Sequence, residues 1–322
     1  MVGKITRNDI ITASVTPSLM NDNPFQSRND LLAQILAERG VEGFKKSEFE
    51  GNEATEWGNK LEPLILVSAA KMLGIENYTT EITQVYRYRE NFLEASLDGV
   101  FYNENNRIYP TENIIFPQGQ DYIDLVGNGC AESKNTMAGF TPVPPPYRGV
   151  WQLQAQMLCT GYKWGVIATL YGGNRLVLYV YEADKFMQDQ IIDATEDFYS
   201  RLEGPDYYPA LDGADGARTY AIAEDDLPEI NLHKISDVVE EYIEAKKTIK
   251  TLQELASICE AQIMDEMGNH ESAFLDDALG NRKVEITWRM RRTKATKEKV
   301  VPAKPEKYER QKTLSIAQRW LK

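Results

Sequence analysis

Histidine and cysteine are scarce in this chain, and each scarcity removes a kind of chemistry. Three cysteines, Cys130, Cys159 and Cys259, lie far apart with no C-x-x-C pair. That spacing argues against a disulfide scaffold, a structural zinc site and a four-cysteine iron–sulfur cluster. The two histidines, His233 and His270, fall outside every motif described below, so catalysis resting on a histidine base is not expected and both read as surface residues. No run of eighteen apolar residues occurs, and the N-terminus lacks a charged-then-apolar export pattern. No membrane partner is expected, and the expected location is cytoplasmic. What the chain does hold, 42% hydrophobic residues over 322 positions, suffices for one large domain plus an appendage.

Charge is unevenly divided. The net charge is −13, yet residues 281–322 contain fourteen Lys/Arg against four Asp/Glu, a local +10 that leaves −23 on the other 280 residues. A basic tail on an acidic body is read as a contact for phosphates, as a dock for an acidic surface on a neighbouring subunit, or as a solvated tail. Part of the acidity lies in a Gly- and Pro-containing stretch over 206–229.

Periodicity predicts an α/β chain. A short helix or turn is expected over 6–20 and a helix over 28–39. A helix over 53–73 carries Glu62, with Pro63 predicting a kink or break beside it. Strands are expected over 79–88 and 93–100, an inserted loop over 99–131, and an extended Pro-rich segment over 139–146. A helix over 148–160, a hairpin over 164–171 and 175–181 turning at Gly172-Gly173-Asn174, and a helix over 185–202 complete the core. Residues 235–267 contain neither Gly nor Pro. There Ile235, Val239, Tyr242, Ile249, Leu252, Ala256, Cys259 and Ile263 recur at three and four, the mark of one long amphipathic helix or a jointed pair. Such a helix packs on another copy, on a partner or on its own core. A hairpin over 273–279 and 283–291 follows. The expected domains are a core over 1–205, an acidic linker over 206–232, and an appendage of long helix, hairpin and basic tail over 233–322 that serves oligomerisation, DNA or partner contact.

The informative charges are Glu62, Asp98, Glu132 and Lys134. Residues two apart on a strand share a face, so Glu132 and Lys134 point together beside the sheet, and Asp98 is expected at the end of its strand. An Asp followed by Glu-x-Lys is the minimal layout of a metal-dependent phosphodiesterase. Carboxylates suit a hard cation such as Mg²⁺, and an ammonium orients a water or offsets phosphate charge. The same residues on an ordinary exposed strand would make only an ion pair. On the helix over 148–160, Gln152 and Gln156 share a face, while Gln154 lies about 200° around from Gln152.

Five segments in order resemble the phage lambda exonuclease and YqaJ-type recombination nucleases of the PD-(D/E)xK superfamily, over roughly residues 4–200. They are Arg7-x-x-x-Ile11-Thr12-Ala13-Ser14, Trp57-Gly58-x-x-x-Glu62-Pro63, Ala95-Ser96-Leu97-Asp98-Gly99, Glu132-Ser133-Lys134, and Gln152-Leu153-Gln154 within 151–157. The long 99–131 segment departs from the shorter hairpin usual in that family. The resemblance implies a restriction-endonuclease-like core, a central mixed sheet flanked by helices, here with the C-terminal long-helix and hairpin appendage. It also implies a Mg²⁺-dependent hydrolase, with Mn²⁺ as a substitute and two ions. This nuclease would digest linear double-stranded DNA from 5′ ends and leave 3′ single strands for an annealing protein in phage recombination, in the host cell cytoplasm if phage-encoded. Asp98, Glu132 and the Ser133 carbonyl would hold one ion, with Glu62 at a second. Lys134 would act on the water, with Gln154 near it. Arg7, Ser14 and Gln152 would bind DNA phosphate. Processive members of the family close a ring, so a cyclic homo-oligomer is expected. The alternatives are a structure- or site-specific endonuclease and a catalytically idle DNA-binding recombination accessory protein.

Overall fold

From its start the chain runs through β1 (Ile11–Thr12), a 3-10 turn (Ala13–Val15) and α1 (Thr16–Leu19). Ser27 then opens α2 (Arg28–Glu38): its hydroxyl accepts from the Asp30 amide while the Asp30 carboxylate accepts from the Ser27 amide, which satisfies donors a helix start leaves unpaired. Asn52 caps α3 (Glu53–Met72), its side-chain oxygen accepting the Thr55 amide hydrogen. α3 continues through Pro63 without the predicted break. Pro63 is exposed on its outer side, and Ile65, Leu66, Ala69 and Ala70 are buried against the sheet, so packing outweighs the one hydrogen bond that proline removes. The computed structural model describes residues 6–44, 52–102, 105–204, 206–220, 227–276 and 282–287. It divides into two compact units, Met1–Ala221 and Ile222–Lys322.

The first unit continues with β2 (Asn77–Thr79), β3 (Tyr86–Tyr88), β4 (Leu93–Ala95) and β5 (Gly99–Tyr102). The two strands expected over 79–88 and 93–100 are therefore four. Next come β6 (Asn106–Ile108), β7 (Ile114–Ile115), β8 (Ile123–Leu125) and β9 (Gly129–Thr136). After a 3-10 turn (Pro146–Arg148) come α4 (Val150–Thr160), β10 (Trp164–Tyr171), β11 (Arg175–Glu182) and α5 (Lys185–Leu202).

The central sheet has the order β2-β5-β9-β10-β11-β7. It is mixed: β9 runs parallel to β10, while β5–β9 and β10–β11 are antiparallel. α3 covers one face with a core that includes Leu66, Phe101, Ala131 and Trp164. α4 covers the other through Leu153 and Met157. A second small sheet, β1-β4-β3, packs with α1, α2, α4 and α5 around Ile11, Leu32, Trp151 and Phe198. This is a restriction-endonuclease-like α/β core. The 99–131 segment is more than an inserted loop, because β7 pairs with β11 as the sheet's last strand and β6 pairs with β8.

The stretch read as a linker is also partly built. α6 (Gly213–Thr219) is capped by Asp212, packs against α2, and ties to it through Arg218 and Asp30 at 3.0 Å. The second unit holds α7 (Ser236–Met267) and the hairpin β12 (Ser272–Asp276) and β13 (Arg282–Thr287). Residues 288–322, most of the predicted basic tail, lie outside the described residues. Both histidines are exposed. Among the described residues no helix is long and apolar enough to cross a membrane.

Candidate active site

The β5–β9 ladder ends where Gly99 faces Ala131. One residue further on, Asp98 stands opposite Glu132, and its Oδ2 accepts the Ser133 amide hydrogen at 2.8 Å. A strand residue's N–H and C=O point to the same edge, so the Ser133 carbonyl faces Asp98's side of β9. The long segment between Asp98 and Glu132 does not prevent their meeting, because antiparallel register depends on the rungs and not on the loop that joins them.

Glu132 and Lys134 share a face of β9, as period-two alternation requires. Glu132 is 2% exposed, and its Oε1 lies 2.6 Å from the Lys134 ammonium. α4 supplies the other partners. The Gln152 side-chain oxygen, Oε1, accepts from the Lys134 ammonium at 3.0 Å. The Gln156 amide donates to Glu132 Oε2 at 2.7 Å and to the Ser96 carbonyl at 3.2 Å. Gln156 Oε1 is buried with no hydrogen-bond partner, which costs free energy unless something at the site supplies a donor.

Gln154 is placed differently from the role the family likeness implied. It points to the opposite side of α4, where its amide donates to the Glu182 carbonyl and its oxygen accepts the Asp184 amide hydrogen, both at 2.9 Å. It therefore fastens α4 to the start of α5. The reason is helical geometry, since two residues along α4 is more than half a turn.

α4 begins at Gly149, whose φ of +130° is open to glycine and strained for other residues. A Cβ there would lie 3.1 Å from Ile167 Cδ1 and 3.4 Å from Lys134 Cε. The missing side chain thus leaves room for the lysine stem. Glu62 arrives from the other face of the sheet. α3 crosses close over Gly99, where a Cβ would stand 3.0 Å from Leu66 Cδ1 and 3.0 Å from the Thr79 carbonyl, and Glu62 precedes Leu66 by one helical turn.

These groups feel one another's charge. Burial raises the Asp98 carboxyl well above its ordinary range, Glu132 and Glu62 push it further, and Lys134 and the Ser133 hydrogen bond oppose the rise. Burial raises Glu62, Glu132 adds to it, and Lys134 opposes. Burial works to lower Lys134, but Glu132, Asp98 and Glu62 outweigh it and hold the ammonium charged. The donor chemistry fits a hard cation, being all oxygen and short of positive charge. The arrangement is nonetheless closed on itself: Lys134 and Gln156 occupy both Glu132 oxygens, and among the described residues no three acidic, histidine or cysteine side chains form a cation-sized cage.

Arg7 and Ser14 lie near the N-terminal strand. The Arg7 guanidinium donates to both Asp9 carboxylate oxygens at 2.9 and 2.7 Å and to Asn91 Oδ1 at 2.6 Å, so a phosphate there would compete with Asp9. Ser14 is exposed, in the 3-10 turn that packs on α4, and shares a hydrogen bond with the Thr12 hydroxyl at 3.0 Å. Two residues outside the predicted site contribute to it: Gln156, legible in its four-residue spacing from Gln152, and Gly149, marked only by a glycine at a helix start.

Fold and site together define a restriction-endonuclease-like core with Asp, Glu-x-Lys and a helix-borne Glu gathered at one step of its sheet. Residues 4–163 match the YqaJ-like viral recombinase domain, and over that stretch the chain is similar to that family. Among solved structures it is similar to an alkaline exonuclease from Laribacter hongkongensis, at 19% identity and a TM-score of 0.44, over 62% of this chain and 90% of that one. It is also similar to a phage-related exonuclease from Haemophilus somnus, at 13% identity and a TM-score of 0.40, over 61% of this chain and 96% of that one. No curated protein matches it.

Proposed function

We propose that this chain is a metal-dependent exonuclease that digests linear duplex DNA from 5′ ends and leaves 3′ single strands for an annealing protein in phage-type recombination. The observation that carries the reading is the step just before β5, where Asp98 takes the Ser133 amide hydrogen beside the Glu132–Lys134 pair. The match of residues 4–163 to the viral recombinase domain supports the setting.

In this reading Asp98, Glu132 and the Ser133 carbonyl hold one Mg²⁺, with Glu62 at a second; Mn²⁺ substitutes. When bound, such ions neutralise phosphate charge and acidify a water. Lys134, kept protonated by Glu132 and aimed by Gln152, stabilises negative charge developing on the scissile phosphate. Gln156 holds the Glu132 carboxylate in orientation through Oε2. Arg7 grips a terminal phosphate by exchanging its Asp9 partner for phosphate oxygens of like geometry. Subunits assemble around the DNA, and the cytoplasm of the host is the place of action.

The deciding experiment is Mg²⁺-dependent digestion of end-labelled linear duplex, with 5′-phosphate and 5′-hydroxyl ends compared and a covalently closed circle as control. Mononucleotide release from 5′ ends with the circle intact is the expected result. Cutting of the circle would make the protein an endonuclease, and binding without hydrolysis would leave an accessory protein on a nuclease fold.

A further inference from the structure

α7 carries a strict seven-residue repeat that nothing among the described residues covers. Val238, Tyr242, Ala245, Ile249, Leu252, Ala256, Cys259 and Ile263 alternate at spacings of four and three, the seam of a left-handed coiled coil. Val238 is 55%, Ile249 49%, Leu252 57% and Ile263 42% exposed. Nearly four such repeats on one continuous helix are long enough to specify a partner helix.

We infer that this seam is filled by α7 of a second copy of the chain, parallel and in register. The flanking residues favour a second copy. In a parallel pair each residue just before the first seam position of a repeat faces the partner's residue five places later. Here that sets Glu241 against Lys246 on both sides, and the later pairs, Thr248 with Gln253 and Leu255 with Glu260, oppose no like charges. Among mixed seam residues, the central repeat sets Ile249 at the first seam position and Leu252 at the second, the combination that favours two strands. A helix of 32 residues with an acidic outer surface and this apolar stripe is poorly suited to stand alone in water.

The register has a built-in reporter. Cys259 occupies a seam position, so parallel, in-register copies place the two thiols face to face, within the Cα separation of about 4.4–6.8 Å that a disulfide spans. Cys259 is exposed. Cys130 and Cys159 are pushed up to about 12 by burial and stay as unreactive thiols.

The test is oxidation of the full chain with diamide, which takes up the two thiol hydrogens as the disulfide forms. It is followed by non-reducing electrophoresis and by sedimentation of the reduced protein. A covalent dimer that disappears in Cys259→Ser and in Ile249→Glu, with circular dichroism showing the variants folded, is the expected outcome. No crosslink in the wild type, whether it sediments as a monomer or as an oligomer, overturns the inference: a monomer would mean that the seam is covered from within the chain, an oligomer that the copies meet antiparallel or elsewhere. A crosslink that survives Ile249→Glu overturns it equally, since it would not depend on the seam.

Discussion

The two compact units treat polarity in opposite ways. In the first, Glu94, Glu132, Gln154 and Gln156 are 2% exposed or less, and each has a partner: Glu94 takes Arg87 at 3.0 Å, Glu132 takes Lys134 and Gln156, and Gln154 bridges two backbone segments. In the second, Ile249, Leu252, Leu255 and Ile258 on α7 are 49–57% exposed. Burying polar groups is costly unless they are paired, and leaving apolar ones in water forgoes the main driving force of folding. The first unit therefore gathers its buried carboxylates and amides around the proposed chemistry, while the second leaves an apolar stripe of one long helix in water.

Substitutions can separate these roles. The largest effect is expected at the carboxylates: Asp98→Ala and Glu132→Ala should abolish cleavage at every Mg²⁺ concentration while leaving Cys259 crosslinking unchanged. Residual digestion by either would remove that carboxylate from the proposed site. Lys134→Ala should lower turnover roughly 10²-fold, the contribution of comparable charge-stabilising groups, with DNA affinity retained. A near wild-type rate would count against its role.

Within α4 the comparison becomes finer. Gln156→Ala should slow turnover roughly 10-fold by freeing the Glu132 carboxylate, as losses of residues that orient ligand groups do. Gln154→Ala should instead destabilise the fold by about 1 kcal/mol, because the part-buried Glu182 carbonyl and Asp184 amide each lose a hydrogen bond, with per-molecule activity kept. Thermal melts beside single-turnover rates would distinguish the two, and equal activity losses would dissolve the distinction between the faces. A smaller, substrate-selective effect is expected for Arg7→Ala, which should slow digestion of 5′-phosphorylated ends several-fold more than of 5′-hydroxyl ends. Equal slowing would make Arg7 a structural partner of Asp9.

Local patterns were legible in the sequence wherever local forces decide the outcome. α5 begins at Asp184, whose side chain accepts two amide hydrogens, and it runs over the predicted 185–202. The β10–β11 hairpin turns at the predicted glycines. Period-two alternation put Glu132 beside Lys134. Non-local pairing was not legible. The 93–100 stretch divides because β4 joins one sheet and β5 another. β7 is a strand only because β11 offers it an edge, and α6 is stabilised by α2, far away in sequence. On α4, helical spacing put Gln152 and Gln156 on one face and Gln154 on another, while the family likeness favoured Gln152 and Gln154 for the site.

The Asp98 carboxylate also stands in for a missing rung of backbone. It holds the Ser133 amide hydrogen at the point where the β5 main chain no longer can, so a residue proposed for chemistry also closes a peptide group against solvent. Asp98→Asn retains an acceptor of the same shape, and Asp98→Ala does not. Deuterium should therefore enter the Ser133 amide slowly in the first and quickly in the second. Exchange at this one position would measure how well the strands remain joined, independently of whether any DNA is cut.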